Sequence, residues 1–148
     1  MSLELIINEA IKTAMREKDK VALDSLRAVK SQILLLKTEA KGADVSAEQE
    51  IAILQRMIKQ RKDSYEQFVA QNRIDLAEVE AAQMKVIEQF LPAQLTAEEL
   101  EAEIKKIITE TGAESIKDLG KVMGTASKAL AGKSDGKSIS EMVKKLLS

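Results

Sequence analysis

The sequence contains no histidine, no cysteine and no tryptophan. These absences exclude a cysteine or histidine nucleophile, a Ser-His-Asp triad, zinc sites built from Cys and His, and any disulfide. Di-metal sites in helical bundles use Glu-x-x-His motifs, which the chain also cannot supply. The sequence therefore predicts no catalytic residue, no metal and no cofactor.

Long hydrophobic runs and an excess of one charge are also missing. No apolar run approaches the roughly 18 residues of a membrane span, and the first five residues carry no basic leader. The net charge is −1, which gives no reason to expect a DNA-binding protein. We expect a cytoplasmic protein that contacts neither a membrane nor DNA.

The charge that is present is unevenly distributed. Residues 1–114 hold 16 Lys and Arg against 21 Asp and Glu, whereas residues 115–148 hold seven lysines against three acids. A local excess of positive charge can mark an anion-binding end. Lysines kept for solubility on small helices explain the excess equally well, so charge alone leaves both interpretations open.

Apolar residues recur at the spacing of amphipathic helices through the first 90 residues. Stripes at steps of three and four begin at Leu3 and at Ala22, and a third runs from Leu54 to Phe68. Ser46 followed by Gln49 has the pattern of a capping box, which opens a helix. A fourth helix is expected after Asn72. Sustained period-2 alternation, the signal for strands, is absent.

Pro92 is the only proline, and it separates these helices from a shorter set. Proline lacks a backbone donor and disfavours helix at the preceding residue. Thr96 with Glu99 then opens a new helix, and Asp135 is expected to cap the last one. The sequence thus predicts an all-α protein with a four-helix N-terminal domain (1–92) and a three-helix C-terminal domain (93–148).

Glycine is concentrated in the C-terminal domain, where five of the six glycines lie within the last 37 residues. Gly120 and Gly124 fall inside an expected helix, at a cost of about 1 kcal/mol each relative to Ala. Their spacing suits close approach by another backbone, either a packed neighbouring helix or a sugar-phosphate chain. Spacing alone leaves both interpretations open, with the packed helix favoured.

Arg61 extends the apolar stripe of the third helix between Ile58 and Tyr65. A half-buried guanidinium requires an anionic partner, because burying it unpaired costs several kcal/mol. In an antiparallel hairpin that turns near Gln71, Arg61 lies opposite residues near 81. We therefore expect a structural ion pair between Arg61 and Glu80, with a functional anion site as the less favoured interpretation.

Five short motifs lie in order along the chain. They are residues 59–64 (KQRKDS), Arg73 with Asp75, Leu76 and Glu80, and residues 90–95 (FLPAQL), 118–124 (DLGKVMG) and 132–137 (GKSDGK). Taken together, the motifs resemble the YqeY-like proteins over essentially all 148 residues. These proteins are related to the tail of the B subunit of the glutamine-dependent aspartyl/glutamyl-tRNA amidotransferase.

The resemblance implies a two-domain helical protein whose C-terminal domain is similar to the amidotransferase tail, which engages tRNA. Chemistry resides in a catalytic part that this chain is too short to contain. Carried over to this sequence, the tRNA-binding residues are Gly120, Lys121, Gly124, Lys128, Lys133 and Lys137.

The expected function is that of a non-catalytic, tRNA-associated accessory protein, with tRNA and an amidotransferase or another translation-linked protein as partners. The alternative is a protein-protein interaction module whose tail is purely structural. A carbon-nitrogen ligase that uses glutamine as amido donor ranks lowest, because it is implied by the resemblance alone.

Overall fold

The computed structural model describes residues 2–148, and these form seven α-helices and one short 3₁₀ helix, with no strand among them. The prediction of an all-α fold is confirmed. The helices are α1 (Leu3–Glu17), α2 (Lys20–Glu39), α3 (Ala47–Ala70), α4 (Ile74–Glu88), α5 (Ala97–Thr111), the 3₁₀ helix (Ile116–Asp118), α6 (Leu119–Ala129) and α7 (Gly136–Leu147).

The chain forms two compact units, Met1–Leu91 and Pro92–Ser148. In the first, α1 packs against α2 and α3 against α4, and α2 also contacts both α3 and α4. The buried apolar residues come from all four helices, which gives this unit one core. They are Leu3, Ile7, Ala14, Leu26, Val29, Ile33, Ile53, Leu54, Met57, Ala77 and Ile87.

Five of the seven α-helices within residues 2–148 begin where a local side chain accepts a hydrogen bond from one of their first backbone N–H groups. Ser46 accepts a hydrogen bond from the Gln49 amide, and the Gln49 side chain accepts one from the Ser46 amide. This reciprocal pair confirms the predicted capping box. Thr96 likewise accepts from the Glu99 amide and opens α5.

The second unit has its own core, formed by α5, α6 and α7. Gly112 ends α5 with φ +69°, a left-handed conformation that favours glycine. Asp135 begins α7 by accepting a hydrogen bond from the Ser138 amide. The core residues are Leu100, Ile104, Ile107, Val122, Ala126, Leu130, Ile139, Val143 and Leu147.

The predicted ion pair between Arg61 and Glu80 is wrong. Arg61 Nε donates instead to Gln83 Oε1 at 3.1 Å, and no ion pair among residues 2–148 includes Arg61. The hairpin is centred on Asn72, so the residue equally far from it along α4 is Gln83. Glu80 lies about one helical turn closer than Gln83 to the turn that joins α3 and α4.

Candidate nucleic-acid interface

The exposed face of α6 carries four of the six residues expected to bind RNA. Successive residues of an α-helix are about 100° apart, which places Gly120, Lys121, Gly124 and Lys128 within an arc of about 100°. All four are exposed. The buried residues of the same helix, including Val122, lie on the opposite side and face the core. The amphipathic pattern of α6 therefore brings the two glycines and the two lysines together.

Neither glycine of this face is explained by packing within the chain. A Cβ atom built on Gly120 or Gly124 would meet nothing within 4 Å, and neither residue has a positive φ. The favoured sequence interpretation, in which these glycines pack α6 against a neighbouring helix, is therefore wrong. The helix carries two glycines that its own fold does not require.

The 3₁₀ helix that directly precedes α6 is held by a compact set of hydrogen bonds. The carboxylate of Asp118 accepts from the backbone N–H groups of Glu114 and Ser115, at 2.9 and 3.4 Å. The Ser115 side chain accepts in turn from the Lys117 amide. The hydrogen bond from the Glu114 amide, and to a smaller extent the one from the Ser115 amide, lowers the pKa of Asp118 because it stabilises the charged carboxylate. The loop that leads into Gly120 is thereby fixed in one conformation.

The remaining two lysines lie at the connection between α6 and α7. Lys133 is exposed in the loop that joins these helices, and Lys137 is exposed in the first turn of α7. At the start of α7, the Asp135 carboxylate already accepts from the Ser138 amide at 2.6 Å. Because this carboxylate brings negative charge to the helix start, a phosphate is disfavoured there. The lysine side chains remain the groups available to an anion.

The loop that carries Lys133 is joined to the segment just after Pro92. The Leu95 amide donates to the Lys133 carbonyl oxygen at 2.9 Å, and Gln94 Nε2 donates to the Gly132 carbonyl oxygen at 2.6 Å. Sequence analysis missed Gln94 as a contributor to this region. Its place in the 90–95 motif was the only sequence signal, since the two segments are 38 residues apart.

The candidate residues lie outside two hollows that occur in helix-helix junctions. One, of about 360 Å³, lies between the start of α5 and α7 and includes Leu95, Ser138 and Lys145 in its lining. The other, of about 340 Å³, lies between α2 and α3. Neither is lined by any of the six candidates. Four of the candidates lie on the exposed face of α6 and the other two are exposed at the connection to α7. This arrangement suits a large partner surface better than a small molecule.

A comparison with known protein families gives a match that covers nearly the whole chain. The family model described as Yqey-like protein matches residues 5–147, which is nearly the whole sequence. The chain belongs to the YqeY-like family. The match includes both compact units of the YqeY-like chain and every residue of the α6 face.

Curated relatives of this YqeY-like chain are fungal proteins. Altered inheritance of mitochondria protein 41, mitochondrial, is 32% identical in Kluyveromyces lactis, over 70% of this chain and 57% of the relative. The protein of the same name in Pyrenophora tritici-repentis is 30% identical, over 93% of this chain and 76% of the relative. Uncharacterized protein C22F3.15 of Schizosaccharomyces pombe is 30% identical over 62% of this chain and 73% of the relative. The chain thus spans just over half of the Kluyveromyces protein.

No helix within residues 2–148 is both long enough and apolar enough to cross a membrane. Across the same residues, no three Asp or Glu side chains are grouped so that they could hold a metal ion.

Proposed function

We propose that the C-terminal unit of this protein binds structured RNA, with tRNA as the expected partner, through the exposed face of α6. The observation that carries the proposal is the pair of unobstructed glycines beside Lys121 and Lys128. A helix surface without side chains at Gly120 and Gly124 lets a sugar-phosphate backbone approach closely, and the lysines supply positive charge to its phosphates.

The composition of the unit favours recognition of RNA by shape. Residues 92–148 contain no Phe, Tyr, Trp or Arg. Recognition of single strands relies on aromatic or arginine side chains that stack on bases, and bidentate reading of guanine most often uses Arg. Lysine contacts to phosphates and backbone contacts to 2′-hydroxyls require neither. The proposed target is therefore a double-helical stem of an RNA such as tRNA.

The same reasoning favours RNA over DNA. The minor groove of A-form RNA is wide and shallow and displays 2′-hydroxyl groups, whereas that of B-form DNA is narrow and lacks them. A helix face that is flattened at Gly120 and Gly124 fits the shallow groove better. We therefore expect duplex RNA to bind more tightly than duplex DNA of the same sequence.

We propose a non-catalytic accessory role, in which the protein brings bound RNA to an amidotransferase or another translation-linked assembly. This role rests on the resemblance of the tail motifs to the amidotransferase tail. A cytoplasmic location remains a prediction, whereas the names of the Kluyveromyces and Pyrenophora relatives place those two proteins in mitochondria.

A binding experiment on the full chain tests the proposal. Fluorescence anisotropy is measured with four ligands: tRNA, an RNA duplex of about 16 base pairs, a single RNA strand of the same length, and the matching DNA duplex. About 16 base pairs is the length that known double-stranded RNA-binding domains span. We expect tRNA and duplex RNA to bind with similar affinity and the other two more weakly. Equal binding of all four ligands would show that the protein is attracted to nucleic acid only by non-specific electrostatics. The absence of binding at low salt would exclude the proposed RNA-binding function.

An interaction module remains the alternative, and one feature of the N-terminal unit favours it. The hollow between α2 and α3 has a mixed lining, in which Leu35, Leu36, Ala52 and Ile53 lie beside the polar side chains of Gln32, Glu39, Gln49 and Arg56, and Leu35 is 53% exposed. Such a groove suits an amphipathic helix of a partner protein. Crosslinking in cells separates the two functions, because it recovers RNA in one case and a protein without RNA in the other. Leu35→Gln should abolish only the protein crosslink.

A further inference from the structure

The segment after Pro92 forms a strap across the loop between α6 and α7. Gln94 Nε2 donates to two carbonyl oxygens, that of Pro92 at 3.0 Å and that of Gly132 at 2.6 Å. One residue later, the Leu95 amide donates to the Lys133 carbonyl oxygen at 2.9 Å. Two consecutive residues of the strap therefore hold two consecutive residues of the loop.

The loop itself has one further backbone hydrogen bond at this point. The Lys133 amide donates to the Leu130 carbonyl oxygen at 3.0 Å, and Gly132 is buried with φ +78°. The backbone of Lys133 is thus bonded on both sides, through its amide and through its carbonyl oxygen. Its side chain remains exposed.

We propose that Gln94 is a positioning residue for Lys133. By holding the loop that carries Lys133, the strap sets the affinity of the C-terminal unit for RNA. This inference rests on the proposed function, because it assigns to Lys133 a contact with an RNA phosphate. A lysine on an unrestrained loop loses conformational entropy when it binds, and a loop held in its bound form avoids part of that loss. Gln94 acts on the RNA through the loop and makes no contact with the RNA itself.

The arrangement separates this role from a role in folding. Gln94 is exposed, and it is absent from the core that holds α5, α6 and α7 together. Its side chain bonds are both to backbone oxygens outside helices. Replacing Gln94 should therefore alter the loop and leave the helical core intact.

A double-mutant cycle on the full chain tests the inference, with the RNA duplex of about 16 base pairs as the probe. Gln94→Ala should weaken binding and make the slope of log affinity against log salt shallower. The change in slope should be at most about 0.7–0.9 units, which is the contribution of one lysine-phosphate contact. Lys133→Gln should do the same. In the Lys133→Gln background, Gln94→Ala should have no further effect, whereas in the Lys121→Gln background its effect should persist.

Two further measurements serve as controls. Gln60→Ala, at an exposed glutamine of α3, should leave RNA binding unchanged. Hydrogen exchange of the free protein should be faster at Leu95 and Lys133 in Gln94→Ala, with the amides of α6 and α7 unaffected. Faster exchange throughout the unit would show a general loss of folding and overturn the positioning role.

The outcomes distinguish this inference from the function on which it rests. If Lys133→Gln weakens binding but Gln94→Ala does not, the strap has no role and the RNA-binding face stands. If the effects of the two substitutions add, Gln94 acts independently of Lys133 and the inference is wrong. If the unsubstituted protein does not bind the duplex, both the inference and the proposed function fail.

Discussion

The side chains of Arg61 and Gln83 meet across the α3–α4 hairpin, with Arg61 Nε donating to Gln83 Oε1 at 3.1 Å. Arg61 also donates from its terminal nitrogen to the Met57 carbonyl oxygen at 3.3 Å. Both partners are neutral, and Arg61 is only half-buried. Water can therefore complete the solvation of the guanidinium, which explains why the hairpin tolerates it without a carboxylate.

Arg61→Ala should lower the free energy of unfolding by about 1.5–2 kcal/mol, the lower end of the scale for hydrogen bonds that involve a charged group, because Arg61 is only half-buried. This is less than the 3–5 kcal/mol that is typical of a broken buried ion pair. Urea denaturation provides the measurement. Glu80→Gln is the matched control and should change stability by less than about 0.5 kcal/mol. A large loss in the control would restore the Arg61–Glu80 pair.

Gly124→Ala should make the C-terminal unit more stable while weakening its binding to duplex RNA. The added methyl group meets open space, and Ala favours the interior of a helix over Gly by about 1 kcal/mol. Gly120→Ala should act in the same direction, but less strongly because Gly120 is near the helix start. Thermal unfolding and RNA titration of the same samples provide the two measurements.

Gly112→Ala is the matched control for these glycine substitutions. Gly112 also has open space around it, but its φ is +69°. Alanine there is expected to be destabilising by about 1–2 kcal/mol, because a Cβ atom disfavours the left-handed conformation. If Gly124→Ala stabilises the protein and leaves RNA affinity unchanged, the α6 face does not contact the nucleic acid backbone.

The combined substitution Lys121→Gln and Lys133→Gln should reduce the salt dependence of tRNA binding. Each neutralised phosphate contributes about 0.7–0.9 units to the slope of log affinity against log salt, so the slope should become shallower by about 1.4–1.8 units. Lys105→Gln with Lys106→Gln removes the same charge from exposed positions of α5. An equal change in slope for both double variants would indicate attraction by net charge alone.

Asp118 should make the C-terminal unit less stable in acid. Its pKa is lowered from the ordinary value of 3.8 because the Glu114 and Ser115 amides donate to its carboxylate. A lowered pKa means that the folded state holds the proton more weakly than the unfolded state does. The stabilisation is therefore complete well above pH 3.8 and is lost as the pH falls below that value, through the folded-state pKa.

Asp118→Asn should remove this part of the acid dependence, since the amide oxygen still accepts but does not titrate. Chemical denaturation of both proteins at a series of pH values below neutrality measures the difference. Glu103→Gln, at an exposed carboxyl of α5, is the control and should follow the parent protein. Parallel curves for the Asp118 variant and the parent would contradict the role of the carboxylate.

The two units should fold separately when the chain is divided at Pro92. Each has a core of its own residues, and a fragment of residues 1–92 should retain its helices and unfold cooperatively. A fragment of residues 93–148 should be much less stable, because a small domain buries a smaller share of its surface. Circular dichroism during urea denaturation checks both. A first fragment without cooperative unfolding would place the boundary elsewhere.

Local sequence features determined the helices and most of their ends. The Ser46–Gln49 capping box, the Thr96 cap and the Asp135 cap all depend on side chains within a few residues of the backbone groups that they satisfy. The helix end at Gly112 depends on the left-handed backbone conformation that glycine adopts there. The amphipathic spacing also fixed which side of α6 is exposed, and with it the grouping of Gly120, Lys121, Gly124 and Lys128.

Only the tertiary structure decided which residues from separate segments are neighbours. The partner of Arg61 depends on where the α3–α4 hairpin is centred, and moving that centre by one to two residues replaces Glu80 by Gln83. The space around Gly120 and Gly124 depends on which neighbours α6 has, so their spacing could not tell packing from an open face. The strap from Gln94 to Gly132 joins residues 38 positions apart. Periodicity reports the face of a helix, but only the folded chain sets the distances between segments remote in sequence.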